Sequence, residues 1–156
     1  VDDSLAAGPL GLAPVLNCAS PDYLQRHGIP RTLADLASHR LVHYAGSFGQ
    51  RPAGWEYPLP EGGHASLEMA GAITVDGGEA YVGAALAGLG LIQVPRLGVR
   101  SLLEEGRLVE VLPDLPAEPM PVTLLYPQQR HLPRRVREVM DWLALLLSPH
   151  LLPLRR

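Results

Sequence analysis

The sequence contains no lysine and only one cysteine, Cys18, in 156 residues. A single cysteine excludes an internal disulfide bond and any metal site built from several cysteine ligands. In the apolar run 13–19 we expect Cys18 to be a small buried hydrophobic residue rather than a reactive thiol. All 13 basic side chains are arginines, and the net charge is −3. The arginines form no basic stripe of the kind that binds nucleic acid.

Long hydrophobic runs are also missing, and no apolar stretch is long enough to cross a bilayer. The chain begins Val1-Asp2-Asp3, which is acidic and lacks an initiating methionine, so we expect no signal peptide there and interpret the chain as a piece of a larger protein. A single cysteine suits a reducing cytoplasm, the expected location. With 47% apolar and 19% charged residues, the composition is typical of a globular domain with its own core.

The periodicity of apolar residues predicts strands and helices that alternate through short connections. Ser20 followed by Pro21 is typical of a helix start, and Gly28 of a helix end. Thr32 is expected to cap the next helix. The predicted strands are 13–19, 41–44, 55–57, 65–70, 72–75, 91–94, 107–112 and 122–126; the predicted helices are 21–28, 33–38, 77–88, 99–105 and 132–148. This order favours an α/β layered domain.

The last predicted helix has an apolar stripe in its first half and is apolar nearly all round from Trp142 to Leu147. A helix surface of that kind needs cover from the rest of the protein or from a partner.

Two histidines, His39 and His43, have the four-residue spacing that serves a zinc site on a helix. Here the spacing falls largely on a predicted strand, where four residues span roughly 13 Å. Two side chains that far apart do not share one ion, so we expect structural roles for them and no metal.

The segment Ala45-Gly46-Ser47-Phe48-Gly49 follows a strand and nearly matches the nucleophile elbow of hydrolases. The elbow requires a helix directly after the serine, and residues 50–54 contain Pro52 and Gly54 instead. Ser47, Asp114 and His131 have the chain order of a catalytic triad, but such triples arise by chance in most sequences. A loop that contacts a ligand is preferred here to a hydrolase.

The segment Asp76-Gly77-Gly78-Glu79 opens a helix directly after a strand. Unpaired N–H groups and the helix dipole attract an anion to such a position, and the two glycines permit close approach to the backbone. Asp76 is alternatively the cap of the helix, and the two roles are compatible.

Four segments together resemble the effector-binding domain of LysR-type transcriptional regulators. They are the strand–turn–helix–strand block 75–95 with its Ala-Gly-Leu-Gly and closing proline, the stretch from Cys18 to Leu36 with Ser-Pro-Asp-Tyr-Leu and His-Gly-Ile-Pro, the segment 103–112 with Gly-Arg-Leu-Val, and the closing helix after Tyr126-Pro127. Val139-Met140 stands where the family usually has an aromatic residue. The resemblance covers nearly the whole chain, in order and at normal spacing.

The resemblance implies a periplasmic-binding-protein-like (type 2) α/β fold, in which two subdomains are joined by two crossing strands. Residues of about 20–121 would form the second subdomain, nearly complete. Residues 1–12 and 132–156 would be remnants of the first subdomain, and 13–19 and 122–126 the crossing strands. The winged helix-turn-helix domain that binds DNA would lie outside this sequence.

The implied function is effector sensing, not catalysis, with a small-molecule effector, anionic or not, in the cleft between subdomains. The expected ligand-binding residues are His43, Tyr44, Ala45, Gly46, Ser47, Phe48, Asp76, Gly77, Gly78, Gln93 and Pro95. No cofactor, metal or membrane is expected, DNA would be bound only through the absent domain, and effector domains would associate as a homodimer or homotetramer. An extracytoplasmic solute-binding protein of the same fold is the alternative.

Overall fold

The computed structural model describes residues 5–46, 54–128 and 132–154. The strands are β1 (Leu5–Ala13), β2 (Val15–Ala19), β3 (His43–Tyr44), β4 (Trp55–Pro58), β5 (His64–Leu67), β6 (Thr74–Val75), β7 (Ile92–Pro95), β8 (Val109–Glu110) and β9 (Met120–Pro127). The helices are α1 (Pro21–His27), α2 (Gly78–Leu86), α3 (Arg96–Glu104) and α4 (Arg134–Leu147), with short 3₁₀ helices at Ala34–Ser38 and Ser148–His150. The chain divides into two compact units, Val15–Glu118 and Val1–Pro14 with Pro119–Arg156.

The larger unit is built around β2, whose five residues are all buried. Strand β2 pairs antiparallel with β7 on one side and with β8 on the other. One hydrophobic cluster includes Leu16, Ile92 and Val99 and packs α2 and α3 on this sheet. A second cluster surrounds Tyr23 and Trp55. Cys18 is fully buried, and burial raises the pKa of its thiol to about 12, which confirms the expected role as a hydrophobic residue.

Two smaller pairings complete this unit. Strands β3 and β6 pair in parallel, and β4 and β5 form an antiparallel hairpin. A parallel bridge between Leu41 and Leu91 ties the segment before β3 to the segment before β7. Gly90 is required there, because an added Cβ would lie 2.7 Å from the carbonyl oxygen of Arg40.

The smaller unit contains the antiparallel pair of β1 and β9, the helix α4 and the segment after it. A bridge between Leu12 and Leu152 holds the end of the described chain against β1. No side chain of α4 is buried. Trp142 and Leu145 are 59% and 74% exposed. Within the described residues, no helix has the length and apolar character needed to span a membrane.

Helix α1 confirms its predicted signals. The Ser20 side chain accepts a hydrogen bond from the Tyr23 N–H at 3.2 Å, Pro21 follows it, and Gly28 ends the helix with φ of 81°. The segment after it, predicted to begin at Leu33 as a helix capped by Thr32, is a 3₁₀ helix over Ala34–Ser38.

Strand β1 was not predicted, and several element boundaries were predicted wrongly, three of them for a clear physical reason. The run 13–19 is not one strand, because Pro14 has no N–H and separates Ala13, which pairs with Met120, from Val15, which pairs with Pro95. Helix α3 begins at Arg96 rather than at 99, directly after Pro95, which is its N-cap residue. The strand predicted at 107–112 contains only Val109–Glu110. It cannot extend through Leu112, whose φ of 46° is left-handed.

A buried polar cluster joins α1 to the chain that enters β3. The Tyr23 hydroxyl accepts a hydrogen bond from the Arg40 N–H at 2.8 Å and lies 3.0 Å from Nδ1 of His39, a residue only 4% exposed. The ring of His27 stacks on Tyr23 from the other side, with centroids 4.4 Å apart. Burial, reinforced by the neighbouring His27, lowers the pKa of His39, although Asp35 acts in the opposite direction. The folded state therefore favours neutral His39.

We expect the replacement Gly90→Ala to lower the free energy of unfolding by about 2 kcal/mol, because its Cβ would press on backbone atoms of residues 40–42 that cannot rotate away. The matched control is Gly83→Ala in α2, where an added Cβ meets no atom within 4 Å. Alanine there should raise the free energy of unfolding by roughly 0.5–1 kcal/mol. Urea unfolding measures both free energies. If the two variants changed the free energy of unfolding in the same direction and by the same amount, the described packing would be contradicted.

The lowered pKa of His39 predicts acid sensitivity. The unfolded state takes up the proton near the ordinary histidine pKa of about 6.5, whereas the folded state resists it until lower pH. The stabilisation from neutral His39 is therefore complete above about pH 6.5 and is lost as the pH falls through the lower folded pKa. Urea unfolding between about pH 5 and 8 should show this loss, and His39→Gln should flatten it. An unchanged pH slope in the variant would contradict the assignment.

Candidate functional site

The carboxyl ends of the parallel strands β3 and β6 meet at one edge. The Ala45 N–H donates to the Val75 carbonyl oxygen at 2.9 Å, one residue beyond the pairing of Tyr44 with Val75. The segments Ala45–Gly46 and Asp76–Gly78 therefore leave the two strands side by side. Ligands of open α/β folds bind outside the carboxyl ends of such strands. This edge, defined by Tyr44–Gly46 and Asp76–Gly78, is called the β3–β6 edge.

Helix α2 begins at this edge with an open N-terminus. Its N-cap is Gly77, with extended backbone, and no side chain makes a capping hydrogen bond. The expectation that Asp76 caps the helix was wrong, because Asp76 lies one residue before the N-cap position. An added Cβ at Gly77 or at Gly78 would meet no atom within 4 Å. The first N–H groups of α2 are thus free of side-chain competition for a ligand, and the helix dipole favours a negative group there.

Two tyrosines form an aromatic pair beside the edge. The rings of Tyr44, on β3, and Tyr81, in the first turns of α2, meet edge to face with centroids 5.4 Å apart. The Tyr81 hydroxyl accepts a hydrogen bond from the Gln93 N–H at 3.0 Å. Burial raises the pKa of Tyr81 to about 12, so the hydroxyl stays protonated at neutral pH. Tyr81 therefore joins the β3–β6 edge to strand β7.

The side chain of Gln93, predicted to contact a ligand, is bonded to protein groups. Its Oε1 accepts from the Glu56 N–H at 2.8 Å, and its Nε2 donates to the Glu56 carbonyl oxygen and to Asn17 Oδ1, each at 2.8 Å. Both amide hydrogens are therefore used inside the protein. Gln93 holds the hairpin strand β4 against β7 and β2.

His43 lies on β3 with its ring over Gly71, where an added Cβ would come within 2.4 Å of the imidazole. Its Nδ1 is buried and has no hydrogen-bond partner among the described atoms. His39, four residues earlier, bonds to Tyr23 instead. In the part of the chain that the structure describes, no three His, Cys, Asp or Glu side chains are grouped as a metal site.

The remaining predicted residues divide into two groups. Pro95 lies opposite Val15 at the end of β7, directly before α3. Ser47 and Phe48, and with them the predicted ligand loop and the nucleophile-elbow serine, lie outside the described residues, as does His131.

Sequence reasoning missed Tyr81, Asn17 and Glu56. Tyr81 is the one bulky polar-tipped residue on a helix face of glycine and alanine, which could have marked it. Asn17 is the one amide in the apolar run 13–19, and a polar group in a buried strand needs partners. Glu56 takes part through its backbone, which no side-chain pattern reveals.

A cleft of about 280 Å³ lies in the same unit, lined by Ile29–Arg31 and Glu110–Leu115. Nothing in the sequence pattern singled out these residues as a site, and none belongs to the β3–β6 edge.

Comparison with known proteins supports the resemblance found in the sequence. The model of the LysR substrate binding domain matches residues 1–147. An uncharacterized HTH-type transcriptional regulator of Escherichia coli, YhjC, is 45% identical over 150 residues, which are 96% of this chain and 50% of that protein. The chain spans about half the length of the curated relatives it matches.

Solved structures give the same answer. The regulatory domain of CrgA, a LysR-type transcriptional regulator from Neisseria meningitidis, matches with a TM-score of 0.76 and 25% identity over 94% of this chain and 70% of that one. Full-length AphB, a virulence activator of Vibrio cholerae, matches with a TM-score of 0.72 and 28% identity over 96% of this chain and 49% of that one. The fold is therefore that of the regulatory domain of LysR-type regulators, and the chain belongs to the LysR substrate-binding domain family.

Proposed function

We propose that the chain is the effector-sensing part of a LysR-type, DNA-binding transcriptional regulator, and that a small metabolite binds at the β3–β6 edge. One observation carries the placement of the site. The carboxyl ends of β3 and β6 converge where α2 begins without a side-chain cap. Tyr44 and Tyr81 provide an aromatic wall beside it.

The chemistry of the edge suits a small ligand with a negative group. Backbone N–H groups at the start of α2 can receive a carboxylate, and the two glycines permit its approach. The exposed Asp76 carboxylate would lie close to such a ligand and favour one that also has a hydrogen-bond donor. We propose as ligand-contacting residues His43, Tyr44, Ala45, Gly46, Asp76, Gly77 and Gly78, with Ser47 and Phe48 following in sequence. Gln93 supports these residues without contacting the ligand.

The curated relatives are transcriptional regulators, which favours a regulator over a solute-binding protein. We further propose that the chain has no enzymatic activity, because the Asp76–Gly78 side of the edge offers no nucleophile paired with a base. Unit Val15–Glu118 would be the second subdomain of the effector domain, and the other unit part of the first.

In the whole regulator, DNA would be bound by the N-terminal domain, and effector domains would associate as a homodimer or homotetramer in the cytoplasm. The metabolite acts by binding one arrangement of the regulator more tightly than the other, because equal affinity for both would shift nothing. No membrane is involved in this scheme.

Replacement of Asp76 by alanine in the full-length regulator tests the site. We expect the concentration of metabolite needed for half-maximal response of a promoter reporter to change at least about five-fold, the lower range of an allosteric coupling. Operator binding without metabolite, measured by fluorescence anisotropy, should stay within two-fold of the unsubstituted protein.

The matched control is Glu61→Ala, an exposed carboxylate of the same unit in the turn between β4 and β5. It should leave both measurements unchanged. An unaltered metabolite response in Asp76→Ala, or a response altered equally in Glu61→Ala, would contradict a site at the β3–β6 edge. Loss of basal operator binding in Asp76→Ala would contradict a sensing role.

A further inference from the structure

Two amides, the buried Asn17 and the half-buried Gln93, face each other across the antiparallel strands β2 and β7. Both donors of Asn17 Nδ2 are used, on the carbonyl oxygens of Leu112 at 3.1 Å and Leu115 at 2.8 Å. Asn17 Oδ1 accepts from Gln93 Nε2. Hydrogen bonds therefore run from the turn Leu112–Leu115 through the two side chains to Gln93, whose backbone N–H donates to the Tyr81 hydroxyl; we call this series of contacts the amide line.

At the Tyr81 end of this series, the backbone pairing between two strands is interrupted. Segments 40–42 and β7 begin a parallel pairing, with the Leu91 N–H donating to the Arg40 carbonyl oxygen and Val42 N–H to that of Leu91. Two residues later, at Gln93, the N–H donates to the Tyr81 hydroxyl instead of to the backbone. A side chain from α2 thus takes the place of a strand at the point where β3 turns away to pair with β6.

The orientation of the Gln93 amide is determined by its partners. A half-turn of its amide would place Nε2 against the Glu56 N–H and Oε1 against two acceptors, the Glu56 carbonyl oxygen and Asn17 Oδ1. Every contact would then be repulsive. Buried polar networks of this kind are stable when fully satisfied and unfavourable when any member is lost.

The other end of the line holds a strained turn. Leu112 is buried and has a φ of 46°, a conformation that is unfavourable for a branched, non-glycine residue. Its carbonyl oxygen accepts from Asn17 Nδ2 and from the Leu115 N–H at 3.0 Å. Local strain of this type persists only where surrounding bonds enforce it. The turn lies near the end of its unit at Glu118, and Asn17 lies near the start of that unit at Val15.

We propose that Gln93 and Asn17 are positioning residues of the effector site, which couple the Tyr81 hydroxyl to the strained Leu112–Leu115 turn. This inference rests on the proposed function for its biological meaning. Tyr81 borders the β3–β6 edge, so a ligand that shifts its ring displaces the Gln93 N–H. The amide line passes that displacement to the Leu112–Leu115 turn. This turn lies near the end of the unit Val15–Glu118, and Asn17 lies near its start. Neither amide touches the ligand.

Hydrogen exchange of backbone amides in the full-length protein tests the coupling without any ligand. Tyr81→Phe removes only the hydroxyl that receives the Gln93 N–H. We expect faster exchange at Gln93, and also at Leu115 at the far end, by about five-fold, a size usual for coupled residues. The Leu24 N–H, which bonds to the Ser20 carbonyl oxygen in α1, should be unaffected.

Tyr44→Phe is the matched control, since it makes the same chemical change on the other ring of the aromatic pair. It should leave the Leu115 amide unchanged. A second comparison places Tyr81→Phe in a Gln93→Met background, where the amide line is already broken. There the loss of the Tyr81 hydroxyl should no longer affect Leu115.

Faster exchange at Gln93 with no change at Leu115 would overturn the proposal, and so would an undiminished effect in the Gln93→Met background. If Gln93→Met does not fold, the single variants Tyr81→Phe and Tyr44→Phe still decide between the outcomes. Because no metabolite is used, a failure here refutes the amide line alone. A failure of the Asp76→Ala test refutes the position of the site.

Discussion

A buried amide in the centre of a sheet constrains everything around it, because leaving one of its groups unpaired costs about 1–3 kcal/mol. Asn17 is 1% exposed on the central strand β2 and needs two acceptors and one donor. The acceptors come from a turn almost a hundred residues away in sequence, at Leu112 and Leu115, and the donor comes from Gln93. Satisfying this one side chain therefore determines where the chain runs after β8, how β7 is oriented, and, through Glu56, where the β4–β5 hairpin lies.

The β3–β6 edge depends on that framework rather than on local sequence alone. Strand β3 has only two residues, and its position comes from backbone bonds to residues 70–75 on one side and from the Leu41–Leu91 bridge on the other. Tyr81 occupies the gap that β3 leaves beside β7, from the first turns of the helix that follows β6. The edge thus joins an open helix N-terminus, which suits an anion, to a rigid sheet. Such a combination can convert ligand binding into displacement of a larger element.

The parts of the fold that the sequence predicted are those controlled by neighbouring residues. Ser20, Pro21 and Gly28 set the ends of α1, and the stripe from Val136 to Leu147 identified α4. The predictions that failed depend on distant partners. Residues 13–19 do not form one strand, because β9 pairs with the residues before Pro14 and β7 pairs with the residues after it. Whether 107–112 remains extended depends on Asn17, and whether Asp76 or Gly77 caps α2 depends on how β6 ends.

The same distinction explains the candidate site. Glycines between a strand and a helix indicate a possible ligand position from neighbouring residues alone, so the Asp76–Gly78 side could be proposed from the sequence. The partners of Gln93 come from three separate segments, so its place behind the edge could not. The family assignment succeeded because it used four segments together, each weak alone, in one order and spacing.

Hydrogen–deuterium exchange of the full-length regulator, with and without the metabolite that triggers its promoter response, tests the central claim most directly. We predict that the metabolite slows exchange in peptides containing Ala45–Gly46 and Asp76–Glu79, and leaves α1 unchanged. Slower exchange confined to Ile29–Arg31 and Glu110–Leu115, with none at the β3–β6 edge, would contradict it.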